Sequence, residues 1–253
     1  EHVEYNNVDA LRRLARKLTP PRWRPSLGPK PRLAAIMLEP LQGEGGIVPG
    51  DSDFFAAARE ICDATGALLI VDEVQSGVGR TGRFWGHQNL GIDVDVLTSA
   101  KGLGGGVPIG AMLCKSHCDV FAPGVHASTF GGNPLACAAG NAVLDAFDDE
   151  ALLDNVATRS EQLQRGLAGI AARHGCIDEV RGWGLLLGIQ LSEGCGFVAA
   201  DLCKACLASG LLTVPAGVRV LRLVPPLVVS EGDVDEALNL LDAAIAKLSA
   251  ASA

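Results

Sequence analysis

Four short apolar segments, separated by helical patterns, constrain the fold of this chain more than any other feature. The segments are residues 33–38, 67–71, 94–98 and 110–114. Each is a continuous apolar run of strand length, which is typical of parallel strands covered on both faces. Apolar spacing predicts helices at 8–18 and at 53–65, the second capped by Asp51 or Ser52. The first part of the chain is therefore predicted to be α/β, with a parallel sheet.

The pattern changes near residue 150. A predicted helix at 133–147 closes the first part, and the second part mixes helices with short, closely spaced strands. We predict helices at 152–174, 198–209 and 233–248, and strands at 177–180, 185–190, 211–214 and 218–223. The chain is thus predicted to contain a larger α/β domain, 1–149, and a smaller α+β domain, 150–253.

Charge and hydropathy exclude several classes of partner. The net charge is −8 and aromatic residues make up 4% of the sequence, which argues against nucleic acid or an anionic membrane as a partner. The basic residues of 12–17, with Arg22 and Arg24, alternate with leucines and predict the solvated face of an amphipathic helix. No apolar run approaches the ~20 residues that cross a bilayer. We expect a soluble protein, of the cytoplasm or an organelle matrix; the sequence leaves the compartment open.

The eight cysteines are predicted to be reduced thiols without a metal. Cys203 and Cys206 have C-x-x-C spacing, but no second pair or histidine follows at the spacing of a zinc site. A protein of this size also needs no disulfide to fold.

Two nucleotide-binding motifs are matched only in part. Residues 77–82 fit G-x-G-x-x-G, but the dinucleotide fingerprint joins a strand directly to a helix, and no helical pattern follows here. Residues 68–73 resemble a Walker B strand, yet no Gly-Lys dipeptide, which a P-loop requires, occurs in the sequence.

Asp72, Gln75 and Lys101 form the most informative group of polar residues. Asp72 ends one buried strand, and Lys101 lies just after the next. Ligands of open α/β sheets bind at the carboxyl ends of strands. An amine and a carboxylate at that edge suit pyridoxal 5′-phosphate (PLP), whose aldehyde binds the amine and whose ring nitrogen needs an acid. By spacing alone, a plain ion pair between Asp72 and Lys101 explains the pattern equally well.

Five longer segments, taken together, resemble the class III aminotransferases. They occur in the order typical of that family and extend over most of the chain: 36–46 (IMLEPLQGEGG), 69–82 (LIVDEVQSGVGRTG), 99–111 (SAKGLGGGVPIGA), 128–135 (STFGGNPL) and 220–227 (VLRLVPPL). The resemblance implies part of the large domain of a fold type I PLP transferase, followed by the small C-terminal domain.

The resemblance assigns cofactor roles residue by residue. It implies that Asp72 pairs with the pyridine nitrogen and that Gln75 donates to the phenolic oxygen. Val74 packs against the ring face, and Lys101 carries the Schiff base and moves the proton. Thr129 and Ser128 reach the phosphate of a neighbouring subunit, so a homodimer is expected. A helix cap is the alternative role of Thr129.

The resemblance also implies how substrates bind. Arg222 is expected to bind a substrate α-carboxylate bidentately. Glu39 is expected to pair with Arg222 when the amino donor offers its side-chain amine, and to release it for glutamate. A surface arginine is the alternative for Arg222. The expected reaction converts N-acetylornithine and 2-oxoglutarate to N-acetylglutamate semialdehyde and glutamate, as in arginine biosynthesis. Ornithine, succinylornithine or 4-aminobutyrate are alternative donors, and a non-catalytic fragment that only dimerises is another alternative.

The sequence resembles only the latter part of these family members. We find no upstream phosphate-binding turn, ring-stacking aromatic residue or second substrate arginine. The chain alone is therefore expected to bind PLP weakly, to turn over little, and to expose an unpaired sheet edge.

Overall fold

The computed structural model describes residues 1–19, 33–149 and 151–252. The helices are α1 (Val8–Leu18), α2 (Ser52–Thr65), α3 (Pro134–Asp149), α4 (Leu152–Arg173), α5 (Ala199–Ala208) and α6 (Glu231–Ser252). The strands are β1 (Ala35–Leu38), β2 (Leu41–Gln42), β3 (Val48–Pro49), β4 (Leu68–Asp72), β5 (Val96–Ser99), β6 (Ala111–Cys114), β7 (Ile177–Trp183), β8 (Leu186–Leu191), β9 (Val214–Pro215) and β10 (Val220–Leu223).

The chain divides into two compact units, and successive segments of the sequence alternate between them. The first unit comprises Glu1–Pro40, Gly50–Gln75 and His87–Asn141. The second comprises Leu41–Pro49, Ser76–Gly86 and Ala142–Ala253. The second unit thus includes two short segments from the first third of the sequence, which the predicted split into 1–149 and 150–253 did not foresee.

The first unit contains a four-stranded sheet with the order β1-β4-β5-β6. β1, β4 and β5 are parallel, as predicted from their apolar runs. The prediction was wrong for β6, which pairs antiparallel with β5. The connection between β5 and β6 consists of residues 100–110 and contains only a 3-10 turn, Lys101–Gly104. Such a connection is too short for the crossover that a parallel neighbour needs.

Helix α2 covers one face of this sheet. Its aromatic and aliphatic residues Phe54, Phe55, Ala58 and Ile61 are buried, and it begins after Asp51 and ends at Gly66 in the left-handed conformation. The opposite face differs from the predicted two-sided cover. Within the described residues, Met37 on β1 is 57% exposed and Met112 on β6 is 50% exposed.

Helix α1 is amphipathic, as its sequence predicts. Leu11 and Ala15 are buried, whereas the basic side chains point outward. Arg12 donates to Glu60 of α2 at 2.7 Å. This confirms the solvated basic face for 12–17. Arg22 and Arg24 lie outside the described residues.

The second unit is built on an antiparallel sheet with the order β7-β8-β10-β9. Helices α4, α5 and α6 contribute to one large core together with this sheet, in which Leu167, Ile170 and Ile189 are completely buried. A smaller core forms around Leu41 and Ile47, which are also fully buried. The predicted helices and the β7–β8 pair are confirmed. The strand predicted at 211–214 is wrong except at its last residue, because β9 is Val214–Pro215.

Residues 77–82 form consecutive turns and bends, whereas a dinucleotide fingerprint joins a strand directly to a helix. Within the second unit, Arg80 Nη1 donates to the carbonyl oxygens of Leu185 at 3.1 Å and Pro225 at 2.5 Å. Burial lowers the pKa of Arg80 to about 10. Leu185 N donates back to Arg80 O at 3.0 Å. Through these bonds the turn segment holds Leu185, the residue just before β8, in place.

Among the described helices, none is long and apolar enough to cross a membrane. All eight cysteines are free thiols, and the described residues contain no cluster of three or more potential metal ligands.

Candidate active site

Asp72 is held in a fixed orientation at the carboxyl end of β4. The strand register places it beside Thr98 of β5. Thr98 Oγ1 donates to Asp72 Oδ1 at 3.3 Å, and Val74 N donates to the same oxygen at 2.9 Å. Two donors on one oxygen fix the plane of the carboxylate. Asp72 is only partly buried, so this carboxylate is accessible to a bound group.

Lys101 follows β5 by two residues and has a strained backbone. Its φ is +46°, in the left-handed region that a residue with a side chain rarely adopts. Such a conformation costs roughly 1–3 kcal/mol and persists only where its surroundings enforce it. Here the hydrogen bonds Leu103 N to Ala100 O and Gly105 N to Gly102 O, at 3.0 and 3.1 Å, hold the turn. Strain of this kind occurs preferentially at functional sites.

The two side chains follow adjacent parallel strands at the same edge of one sheet, as the sequence predicts. The structure brings the strand ends together through a further bond, from Glu73 N to Thr98 O at 2.9 Å. Lys101 is exposed, so its amine is accessible to a ligand. An orientated carboxylate and an accessible amine at one edge are suited to a ligand that binds one group and reacts with the other.

Glu73 is a buried residue of this edge that the sequence argument passed over. It is 1% exposed. Its Oε1 accepts from His87 N at 2.8 Å and lies 2.8 Å from His87 Nδ1. The carboxylate thereby ties the turn that follows Asp72 to His87, within the first unit. Its position inside a strongly matched motif, directly after Asp72, was the signal available in the sequence.

Val74 and Gln75 lie in the turn directly after Asp72 and are both partly buried. The structure places them beside the carboxylate, as their spacing requires. Their assigned contacts to a cofactor ring and phenolic oxygen remain predictions.

Ser128 and Thr129 lie in an exposed part of the first unit that precedes α3. Ser128 Oγ accepts from Gly131 N at 2.8 Å. Asn133, rather than Thr129, caps α3, because its Oδ1 accepts from Ala136 N at 3.0 Å. The helix-cap alternative for Thr129 is therefore wrong.

Arg222 lies at the centre of the sheet of the second unit. It is on β10, in register with Gly188 of β8, and its side chain is 10% exposed. The surface-arginine alternative is therefore wrong. Its Nη1 donates to Glu44 Oε1 at 2.6 Å. Glu44, on the turn between β2 and β3, is 72% exposed.

Glu44 is a second site residue that the sequence does not single out, since the resemblance implies Glu39 alone as a partner of Arg222. Glu39 belongs to the first unit, is partly buried, and accepts through its carbonyl oxygen from Tyr5 Oη at 2.6 Å. Its pairing with Arg222 remains a prediction.

The fold is that of the fold type I PLP transferases. An N-acetylornithine aminotransferase structure from Stenotrophomonas maltophilia matches with a TM-score of 0.84 at 37% identity, covering 99% of this chain and 63% of that one. An ornithine aminotransferase from Toxoplasma gondii, with PLP at partial occupancy in its active site, matches with a TM-score of 0.87 at 32% identity; the match covers all of this chain and 57% of that one.

The family follows from the sequence comparison. The family described as "Aminotransferase class-III" matches residues 6–245, and the chain belongs to it. An acetylornithine aminotransferase from Synechocystis sp. is 57% identical over 218 residues, which are 86% of this chain and 51% of the relative. One from Nostoc sp. is 50% identical over 250 residues, which are 98% of this chain and 57% of the relative. The chain thus spans little more than half the length of these relatives.

Proposed function

We propose that this chain carries the cofactor lysine of an aminotransferase that moves an amino group from N-acetylornithine to 2-oxoglutarate. The products are N-acetylglutamate semialdehyde and glutamate. One observation carries the proposal: Asp72 and Lys101 lie at the ends of adjacent parallel strands, within segments typical of a PLP-dependent family. The donor is proposed from the names of relatives that are 50–57% identical.

The residues at this edge fit PLP. Asp72 would hold the ring nitrogen, Gln75 the phenolic oxygen, Val74 one ring face and Lys101 the aldehyde carbon. When bound, PLP supplies an electron sink that stabilises the negative charge left on the substrate carbon after a proton is removed.

The protein groups perform orientation and proton transfer. Thr98 Oγ1 and Val74 N hold one oxygen of Asp72, so its other oxygen is aimed by the protein rather than by the ligand. With the cofactor bound, the Lys101 amine would act as the general base of a 1,3-proton shift, taking a proton from the substrate carbon and returning it to the carbon two positions away. Its strained backbone fixes the direction in which the side chain leaves the turn.

The pair of Arg222 and Glu44 is proposed to distinguish the two substrates. Arg222 is nearly buried, so its guanidinium needs an anionic partner. The Glu44 carboxylate is mostly exposed, so it regains hydration when it leaves, and its release costs little. The α-carboxylate of 2-oxoglutarate, next to the reacting carbon, displaces Glu44, whereas N-acetylornithine, which reacts at its side-chain amine, leaves the pair intact. Glu39 is the alternative partner proposed from the sequence.

We also propose a homodimer whose subunits share the site. Residues 119–135 are exposed throughout and contain Phe121, Phe130 and Leu135, which are 59%, 82% and 74% exposed. Exposed apolar patches of this kind mark interaction surfaces. Ser128 and Thr129 lie in the same segment, which supports their proposed contact with the phosphate in the neighbouring subunit.

Cofactor attachment tests the central assignment. The chain is titrated with PLP, reduced with borohydride and mapped by mass spectrometry. We expect the cofactor mass on the peptide that contains Lys101. Lys101→Ala should abolish it, and Lys115→Ala, at a partly exposed lysine of the same unit, should retain it. Modification spread evenly over the lysines would contradict the assignment.

Donor preference is tested in the whole protein by comparing kcat/KM for N-acetylornithine, ornithine, succinylornithine and 4-aminobutyrate. Glu44→Gln should lower KM for 2-oxoglutarate about 3–10-fold, since the competing carboxylate is gone, and should leave KM for the donor within about 2-fold. Equal changes for both substrates would show that Glu44 does not discriminate between them.

A further inference from the structure

Cys176 and Cys195 lie against each other at the open end of the β7–β8 hairpin. Cys176 directly precedes β7, and Cys195 follows β8 by four residues. The Cys176 thiol is close enough to the Cys195 thiol and to the Ser249 side chain of α6 for both to affect its pKa. Both residues pack against the large core of the second unit.

The backbone keeps the two cysteines in this position. Ser192 N donates to Cys176 O at 2.9 Å, which extends the hairpin by one pair. Cys195 N then donates to Ser192 O at 3.1 Å, so a turn folds Cys195 back over Cys176. The Arg219 guanidinium holds this turn from outside, donating to Ser192 O at 2.7 Å and to Glu193 O at 3.2 Å.

Their exposure suits a reversible reaction. Both cysteines are free and partly exposed, so a small reagent has access to them. In contrast, Cys62 and Cys206 are completely buried. Cys203 and Cys206 also lie on one helix, α5, where the C-x-x-C spacing serves packing instead of exposure.

We propose that Cys176 and Cys195 are a dithiol site that closes reversibly to a disulfide when the protein meets a small-molecule disulfide. The Cys195 thiolate attacks one sulfur of the reagent, and the other sulfur leaves as a thiolate. The Cys176 thiolate then attacks the Cys195 sulfur and expels the second reagent thiolate. The protein loses two electrons and two protons, and the reagent is reduced to two thiols.

Burial raises the pKa of the Cys176 thiol, with a further contribution from Cys195, so Cys176 is the poorer first nucleophile. The order of attack therefore begins at Cys195. The new bond would close a loop of about 20 residues at the end of the strand pair. A loop of this length is expected to raise the thermal midpoint of the second unit by roughly 5–10 °C.

The test uses the purified chain and hydroxyethyl disulfide at a series of ratios to 2-mercaptoethanol. Samples are quenched with acid, free thiols are alkylated, and peptides are mapped by mass spectrometry. We expect a linked peptide joining residues 176 and 195, a mass loss of about 2 Da, and full return of both thiols after reduction. The thermal midpoint should rise with the linked fraction.

Two variants sharpen the result. Cys195→Ser should leave Cys176 open to alkylation at every ratio and abolish the thermal shift. Cys203→Ser, a partly buried cysteine of the same unit, should change neither. If a variant folds poorly, the peptide map of the wild-type chain still shows whether residues 176 and 195 become linked. Equal alkylation of Cys176 and Cys195 in oxidising and reducing samples, formation of the link only in denaturant, or preferential linkage of Cys114 to Cys118 would overturn the proposal.

Discussion

Asp95 fixes the register of the strands that position Asp72 and Lys101. Its side chain is 7% exposed, and its Oδ2 accepts from Leu69 N and from Arg59 Nη1, each at 2.8 Å. Asp95 N donates in return to Leu69 O at 2.9 Å. Burial by itself would raise the pKa of Asp95, but the bonds from Leu69 and Arg59 outweigh it, and the pKa is lowered.

Asp95→Asn should destabilise the first unit by about 2–3 kcal/mol. The amide oxygen can still accept from Leu69 N, so that bond is retained. The loss is the charged bond to Arg59, worth about 1.5–3 kcal/mol, plus the cost of a poorly compensated guanidinium. The Arg59 side chain is 19% exposed and keeps Asp63, which is 66% exposed, so the full cost of an isolated buried charge is not reached. Asp95→Ala also loses the Leu69 bond and should cost about 1 kcal/mol more.

Urea unfolding at several pH values measures these differences. Asp63→Asn is the matched control and should change the unfolding free energy by no more than about 0.5 kcal/mol. Since the pKa of Asp95 is lowered in the folded state, its stabilisation is present above the unfolded value of about 4 and is lost as pH falls through the folded value. The gap between wild type and Asp95→Asn should therefore narrow below about pH 4. Equal losses of unfolding free energy in Asp95→Asn and Asp63→Asn would refute this reasoning. A difference between wild type and Asp95→Asn that does not change with pH would also refute it.

Three further outcomes are expected. Burial and the charges of Glu39 and Asp51 raise the pKa of Tyr5, the only tyrosine of the sequence, so the stability that its neutral form contributes is lost above about pH 10. Absorbance at 295 nm should therefore rise together with unfolding, and ionisation of Tyr5 in a protein that stays folded would contradict this. Thr98→Val, unlike Thr98→Ser, should weaken PLP binding about 5–10-fold with unfolding free energy changed by about 1 kcal/mol or less; unchanged binding would remove Thr98 from the site. Gly184→Ala should cost about 3 kcal/mol in urea unfolding, since its φ is +56° and a Cβ would lie 2.6 Å from backbone atoms; Gly175→Ala, in open space, is the control and should stay within about 0.5 kcal/mol.

Local patterns predicted most of the elements. Apolar periodicity placed α1 at its observed bounds, and continuous apolar runs predicted β4 and β5 as parallel neighbours. Each of these patterns is contained in one short stretch of sequence, so it can be seen without knowing the fold. The direction of β6 was not predictable in this way, since an apolar run looks the same in either orientation. The connection length was the stronger signal, and it favours an antiparallel neighbour.

The parts of the site that were missed depend on long-range or conformational information. Arg222 and Glu44 are 178 residues apart, and a sequence motif gives no distance between two segments. The left-handed backbone of Lys101 was also unpredictable, because lysine has no preference for that region and only the folded turn enforces it. Glu73 was passed over because its buried contact with His87 appears only after folding.

The alternation of the chain between two units affects the order in which they mature on the ribosome. The smaller core of the second unit contains Leu41 and Ile47, which emerge early, together with Leu186 and Val220, which emerge much later. At about 5–20 residues per second, the early segment waits on the order of ten to thirty seconds for β10. During that time its apolar side chains lack their native neighbours. The first unit ends at Asn141 and can finish folding while the second is still being translated. We therefore expect chaperones to bind residues 41–49 during synthesis, before the surfaces that are exposed in the folded protein have formed.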